Sequence, residues 1–184
     1  MSDTTAERSR AGDLASLAIA TCGVGYLPLA PGTWGSILGV AIYIAAWFGE
    51  SKLGSYLLQS GWNERTIGTW LGSANLIVLL GIIFAAIWAS GRAGRVWGEK
   101  DPQRAVIDEV VGQLVVFFYI PFTTSWWLIA SGFVLFRFFD IVKPYPINKL
   151  QDLPGGLGVC ADDIVAGIYA GILLKVIYTI SISF

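Results

Sequence analysis

Apolar residues occur in long uncharged runs along this chain. The runs cover residues 34–48, 66–91, 110–135 and 164–174. A helix needs about 20 apolar residues to cross the hydrocarbon core of a bilayer, so the second run is long enough while others are short. Pro121 interrupts the third run, because proline removes a backbone donor and restricts the preceding residue; we expect a turn at 119–124 between helices near 106–120 and 125–140, which would form a hairpin. The pattern predicts an all-α, polytopic membrane helical bundle with about five embedded helices.

The N-terminal residues precede these runs and are predicted to form a separate short segment. Only the seven residues 14–20 are apolar, and three acidic residues dilute the positive charge around them. These features disfavour a cleaved signal peptide. We expect residues 1–22 to form a tail with an amphipathic or re-entrant helix at 14–22, and residues 23–184 to form a single membrane-embedded domain.

The composition excludes several classes of protein. Hydrophobic residues make up 55% of the 184 residues and charged residues 14%, with a mean hydropathy of +0.65, whereas soluble domains average about 25% charged residues. The net charge of −1 lacks the basic excess of a nucleic-acid binder. Histidine is absent, which excludes histidine nucleophiles, histidine proton shuttles and the usual zinc sites. The two cysteines, Cys22 and Cys160, suggest no disulfide.

Basic residues divide unequally between the two ends of the predicted helices. Nine lie on one side and three on the other: Arg8, Arg10, Arg92, Arg95, Lys100, Arg104, Arg137, Lys143 and Lys149 against Lys52, Arg65 and Lys175. Cytoplasmic flanks carry the excess of lysine and arginine, so we expect the N-terminus and the first group to face the cytoplasm. The same side carries five acids, namely Asp108, Glu109, Asp140, Asp162 and Asp163.

Two pairs of these acids stand next to apolar helices, where ionisable residues are costly and mark candidate sites. Asp108 and Glu109 come just before the third apolar run. Acids at a helix N-terminus that favour the macrodipole are the alternative explanation, but a cap needs one acid and not two, which favours a functional role. A glycine-rich loop leads to Asp162 and Asp163, of which one could be a plain N-cap. Asp163 shares a helix face with two glycines, and small residues let a neighbouring helix approach closely. We therefore expect Asp163 to lie against the helix that carries Asp108 and Glu109.

A third group combines both signs of charge. Arg137, Asp140 and Lys143 are spaced three apart before Pro144, so on one helix they form a stripe. The stripe is either an intrahelical ion pair with Lys143 reaching the membrane surface, or a pair of cations that holds a phosphate group. Five carboxylates on one face suit Mg²⁺, which prefers oxygen ligands. Five negative and two positive charges sum to −3, so two Mg²⁺ ions would give +1 and attract a phosphomonoester.

Four segments together resemble the phosphatidylglycerophosphatase A family. They are LPLAPGTWGS at 27–36, GEKDPQRAVIDEVVGQL at 98–114, FRFFDIVKPYPI at 136–147 and GGLGVCADDIVAGIYA at 155–170. The first of them, taken alone, is only a weak indication of an anion site at a helix start. The resemblance implies a Mg²⁺-dependent, multi-pass enzyme of the bacterial cytoplasmic (inner) membrane, and the excess of basic residues predicts that its site faces the cytoplasm. Such an enzyme removes the terminal phosphate of phosphatidylglycerophosphate and yields phosphatidylglycerol and phosphate.

The resemblance also suggests roles for individual residues. The family's acidic motifs fall on Asp108, Glu109, Asp140, Asp162 and Asp163, which we predict as metal ligands. We expect catalysis from Asp108, Glu109, Asp140 and Asp163, and phosphate binding by Thr33, Ser36, Arg137 and Lys143. The expected partners are the phospholipid substrate and membrane lipids, with no nucleic acid and no obligate protein partner. The alternatives are a broader lipid phosphatase, acting on phosphatidic acid or an isoprenyl phosphate, and a non-enzymatic membrane protein that binds a cation.

Overall fold

All regular secondary structure in the described part of the chain is helical. A computed structural model describes residues 2–121 and 125–183, and no strand occurs among them. In chain order the helices are α1 (Ser2–Thr21), a 3-10 turn (Val24–Tyr26), α2 (Pro31–Gln59), α3 (Glu64–Trp97), α4 (Ile107–Phe117), α5 (Trp126–Val142), α6 (Ile147–Leu150) and α7 (Gly156–Ser181). The predicted all-α class is confirmed.

Three of these helices, α2, α3 and α7, are long and apolar enough to cross a membrane. They contain 29, 34 and 26 residues, and the chain is a membrane protein. By contrast, α4 has 11 residues, which at about 1.5 Å per residue span roughly half of the hydrocarbon core. The predicted count of five embedded helices and the orientation of the N-terminus stay predictions.

The ends of several helices differ from those expected from the apolar runs. Helix α1 begins well before position 14, and its last turns pack against α3. Helix α4 ends at Phe117, three residues earlier than expected; it contacts α5 but packs more extensively against α7 and α2. Of the predicted turn at 119–124, residues 122–124 lie outside the described part of the chain. The hairpin of α4 and α5 is therefore a minor part of the packing.

Helix α4 occupies the centre of the bundle, and glycines allow its neighbours to reach it. Nine of its 11 residues are buried. On α7, a Cβ atom at Gly167 would overlap the carbonyl oxygen of Gly112 in α4; a Cβ at Gly112 would lie 2.7 Å from the carbonyl oxygen of Asp163. On α2, a Cβ at Gly39 would lie 2.8 Å from the Cβ of Gln113. Because these positions lack side chains, the backbones of α2, α4 and α7 lie in contact.

Two short connections fix the ends of the helices that carry charged residues. Helix α5 ends before Pro144, and Lys143 adopts a left-handed conformation, with φ of 45°, at its C-cap. The N-cap of α7, Gly155, has a φ of 60°, which glycine adopts without steric cost. A Cβ at Gly156 would overlap the carbonyl oxygen of Ile87, so the start of α7 lies against α3. These constraints bring the end of α5 and the start of α7 to the same end of the bundle as the start of α4.

Candidate active site

A polar cavity of about 510 Å³ opens where the N-terminal ends of α2, α4 and α7 meet the C-terminal end of α5. It contains all five acids and both cations selected from the sequence. Those residues are Asp108, Glu109, Arg137, Asp140, Lys143, Asp162 and Asp163. The loop between α3 and α4 and the first residues of α2 complete its wall. The cavity is thus the place where the predicted site residues come together.

Three of the acids form a compact group, which we call the three-acid cluster: Asp108, Glu109 and Asp163. One carboxylate oxygen of each lies within 4.8 Å of the other two. Asp108 Oδ1, Glu109 Oε2 and Asp163 Oδ1 are buried without a hydrogen-bond partner among the described residues. Buried carboxylates at this spacing repel each other unless a cation or a shared proton neutralises them. The donor set and the unpartnered oxygens therefore fit a hard divalent cation such as Mg²⁺.

The other two acids are paired with the cations, in what we call the ion-pair chain. Arg137 Nη1 lies 2.7 Å from Asp140 Oδ2, and Lys143 Nζ lies 3.3 Å from Asp140 Oδ1. Lys143 also contacts Asp162 Oδ2 at 2.6 Å, which joins α5 to α7. Burial alone would lower the pKa of Lys143, but Asp162, Asp163 and Asp140 raise it above its usual value. The lysine therefore stays charged at neutral pH.

The predicted stripe of Arg137, Asp140 and Lys143 thus exists on one helix, and the five acids divide into two groups. Both oxygens of Asp140 accept from a cation. Asp162 uses only Oδ2, because its Oδ1 is buried without a partner among the described residues. The division indicates that the three-acid cluster is free for a cation, while Asp140 and Asp162 hold Arg137 and Lys143 in place.

The first residues of α2 shape the site mainly because their backbone lies close to the side chains of Glu109 and Arg137. A Cβ at Gly32 would overlap Glu109 Oε1 and would lie 3.2 Å from Arg137 Nη1. Ser36 is fully buried; its hydroxyl donates to the Gly32 carbonyl at 2.9 Å and accepts from Arg137 at 3.4 Å. Neither Ser36 nor Thr33 is among the residues that line the cavity. Phosphate binding by these two hydroxyls stays a prediction.

Two residues of this region were not selected from the sequence. Asp101, in the loop before α4, lines the cavity; partial burial and the nearby Asp162 raise the pKa of its carboxyl. Gln151 follows α6, and its Nε2 donates to Asp162 Oδ2 at 2.9 Å. The sequence did point to Asp101, because it stands seven residues before Asp108 in one of the segments that carry the family resemblance. For Gln151 the sequence offers no such indication, because only the fold brings it to Asp162.

The two cysteines take no part in this site. Cys22 and Cys160 are both free thiols, as expected. Cys160 is buried and contacts the hydroxyl of Ser90 at 3.7 Å. Burial, followed by the charge of Glu109, raises the pKa of the Cys22 thiol to about 11. A thiol with so high a pKa is a poor nucleophile at neutral pH.

A family model and several curated proteins match most of this chain. The model of the phosphatidylglycerophosphatase A family matches residues 17–178. A Bacteroides thetaiotaomicron protein named "putative phosphatidylinositol-3-phosphatase" is 41% identical over 155 residues, covering 84% of this chain and 87% of that protein.

Two relatives carry the family's own name. The phosphatidylglycerophosphatase A of Escherichia coli K12 is 32% identical over 153 residues, which cover 82% of this chain and 76% of the relative. That of Haemophilus influenzae is 34% identical over 154 residues, which cover 83% and 81%. No solved structure shows a significant match. The family model covers every residue that lines the cavity, and the chain belongs to the phosphatidylglycerophosphatase A family.

Proposed function

We propose that this protein hydrolyses the terminal phosphate monoester of phosphatidylglycerophosphate with Mg²⁺ bound at the three-acid cluster. Family membership supports a phosphatase acting in phosphatidylglycerol metabolism. The observation that carries the finer proposal is the group of unpartnered carboxylate oxygens within 4.8 Å, in one cavity with Arg137 and Lys143. The cation and the phosphate would thus meet between the cluster and the ion-pair chain.

Each group in the cavity has a specific task in this proposal. Asp108, Glu109 and Asp163 would hold Mg²⁺, with Asp140 and Asp162 as the remaining predicted ligands. Bound Mg²⁺ supplies charge neutralisation and a water of lowered pKa. Arg137 and Lys143 would hold the oxygens of the phosphate.

A carboxylate at the cluster would also take the proton of the attacking water. We take Glu109 and Asp163 as the candidates; like Asp108, each belongs to the cluster and retains an unpartnered oxygen. A second ion remains part of the proposal, since Asp162 Oδ1, outside the three-acid cluster, is also buried without a partner among the described residues. From the excess of basic residues, we place the cavity at the cytoplasmic face of the bacterial inner membrane.

Removal of the metal gives the first test. We expect phosphate release from phosphatidylglycerophosphate in detergent micelles to require Mg²⁺ and to stop with EDTA, because the cluster cannot neutralise a phosphate dianion without a cation. Colorimetric detection of free phosphate measures this. Restored release on returning excess Mg²⁺ is the control for irreversible damage. Equal rates in EDTA and in Mg²⁺ would contradict a metal-dependent site.

The second test asks which lipid headgroup the enzyme prefers, because the Bacteroides relative is named for a different phospholipid. The same assay should compare phosphatidylglycerophosphate, phosphatidic acid and phosphatidylinositol 3-phosphate at equal surface concentration. We expect the highest kcat/KM with phosphatidylglycerophosphate. A higher kcat/KM with phosphatidylinositol 3-phosphate would mean that this lipid is the preferred substrate, and the proposed metal site would still stand. If all three lipids fail with folded protein, a non-enzymatic cation-binding role replaces the proposal.

The close approach of α2 to the cluster gives a third test. In the Gly32→Ala variant the added methyl would displace the Glu109 carboxylate, so we expect kcat to fall about tenfold or more. The matched control is Gly49→Ala on the same helix, where a Cβ meets no atom within 4 Å. It should retain normal turnover. Similar turnover of both variants would mean that the position of Glu109 does not limit the reaction.

A further inference from the structure

The ion-pair chain ends on a neutral donor that does not line the main cavity. Gln151 donates to Asp162 Oδ2 at 2.9 Å, and Lys143 donates to the same oxygen at 2.6 Å. Asp162 is buried and Gln151 is half-buried. Gln151 lines a smaller adjoining cavity of about 250 Å³, with Asp101 and Val159. Its side chain therefore acts on the site through Asp162.

The connection between α6 and α7 holds Gln151 at this point. The backbone turns tightly after α6, because Asp152 N–H donates to the Lys149 carbonyl at 3.2 Å. A Cβ at Gly158 would lie 3.1 Å from the carbonyl oxygen of Gln151. The turn thus packs on the first residues of α7. This packing holds the backbone of Gln151 at hydrogen-bonding distance, through its side chain, from Asp162.

The proposed function requires Lys143 to change partners. In the structure its ammonium group contacts Asp162 and Asp140. When it turns to a phosphate oxygen, Asp140 retains Arg137 at 2.7 Å. Asp162 Oδ2 would lose the only cation that contacts it among the described residues, and a buried carboxylate oxygen without a donor is strongly unfavourable.

We propose that Gln151 is a positioning residue that holds the Asp162 carboxylate while Lys143 moves to the substrate phosphate. Its amide suits this task because it is a neutral donor, which satisfies Asp162 without competing for the anion. The inference rests on the proposed function, in which Lys143 binds phosphate.

The test removes the donor and retains the shape. Methionine has nearly the same length as glutamine but no side-chain N–H. In Gln151→Met, Lys143 would therefore be the one remaining donor to Asp162 Oδ2 in the described part of the chain, and phosphate must compete with Asp162 for this lysine. We expect KM for the lipid, and the inhibition constant of inorganic phosphate, to rise about tenfold, with kcat within about twofold of the wild type. The matched control is Asn148→Met, an exposed position on α6, which should change neither constant.

A double variant separates positioning from simple stabilisation. In Asp162→Asn the carboxylate is gone, so adding Gln151→Met should not weaken phosphate binding further; the rise in Tm caused by inorganic phosphate measures this without turnover. A Gln151→Met variant with lower kcat and lower Tm but unchanged phosphate affinity would overturn the proposal, as would wild-type values throughout. If the wild type neither hydrolyses the lipid nor responds to phosphate, the proposed function fails first and this inference with it.

Discussion

Replacement of Asp163 by asparagine should lower phosphate release by about a hundredfold or more and raise the Mg²⁺ concentration needed for activity. Asp163 is buried in the three-acid cluster, and its Oδ1 has no partner among the described residues. An amide keeps the shape of the side chain but removes one negative charge from the proposed metal site. Steady-state phosphate release across a Mg²⁺ titration measures both effects.

The same variant should have the opposite effect on the stability of the metal-free protein. Three carboxylates held within 4.8 Å repel each other, so loss of one charge should raise Tm in EDTA while activity falls. Glu64→Gln, at an exposed position in the first turn of α3, is the matched control and should change neither quantity. Near-normal turnover of Asp163→Asn with unchanged Mg²⁺ dependence would mean that the site is misplaced.

Alanine at Gly167 should destabilise the whole bundle. The added Cβ would overlap the carbonyl oxygen of Gly112, and backbone cannot move aside as a flexible side chain can. We expect a loss of about 3 kcal/mol, as for severe overpacking, and a fall in Tm of about 10 °C. Thermal unfolding in detergent measures the change.

A second glycine gives this prediction a control of opposite sign. At Gly81, inside α3, a Cβ meets no atom within 4 Å. Gly81→Ala should therefore leave Tm unchanged or raise it, because alanine favours a helix by about 1 kcal/mol over glycine. Equal Tm values for the two variants would contradict the prediction, because they would mean that α4 and α7 can move apart around the added methyl group without loss of stability.

The sequence was informative where a feature is local in the chain. Uncharged apolar runs indicate α2, α3 and α7, because a bilayer span depends on continuous apolar residues. Their ends were predicted too short, since the helices continue past charged residues such as Glu50 and Lys175. The spacing of Asp163 and its glycines correctly placed this acid against α4, because small residues on one face determine where helices touch.

The division of the five acids was not predictable from the chain. Asp140 pairs with Arg137 and Lys143 on its own helix, as the spacing of the stripe allows, whereas the contact between Lys143 and Asp162 depends on the distance between α5 and α7. Neither periodicity nor composition encodes that distance. Gln151 was missed for the same reason, because it lies in a connection that reaches the site only through the fold. Asp101 stands in a segment that carries the family resemblance and could have been selected from the sequence.

The contact between α4 and α7 also has a consequence for biosynthesis. Asp108 and Glu109 belong to a helix that leaves the ribosome before α7, which brings Asp163. The candidate cation site is therefore split between an early and a late part of the nascent chain. Until α7 inserts beside α4, the membrane holds a scaffold with two of the three acids. Insertion of α7 beside α4 brings Asp163 to the other two acids, so a chain released before this step would lack the cluster.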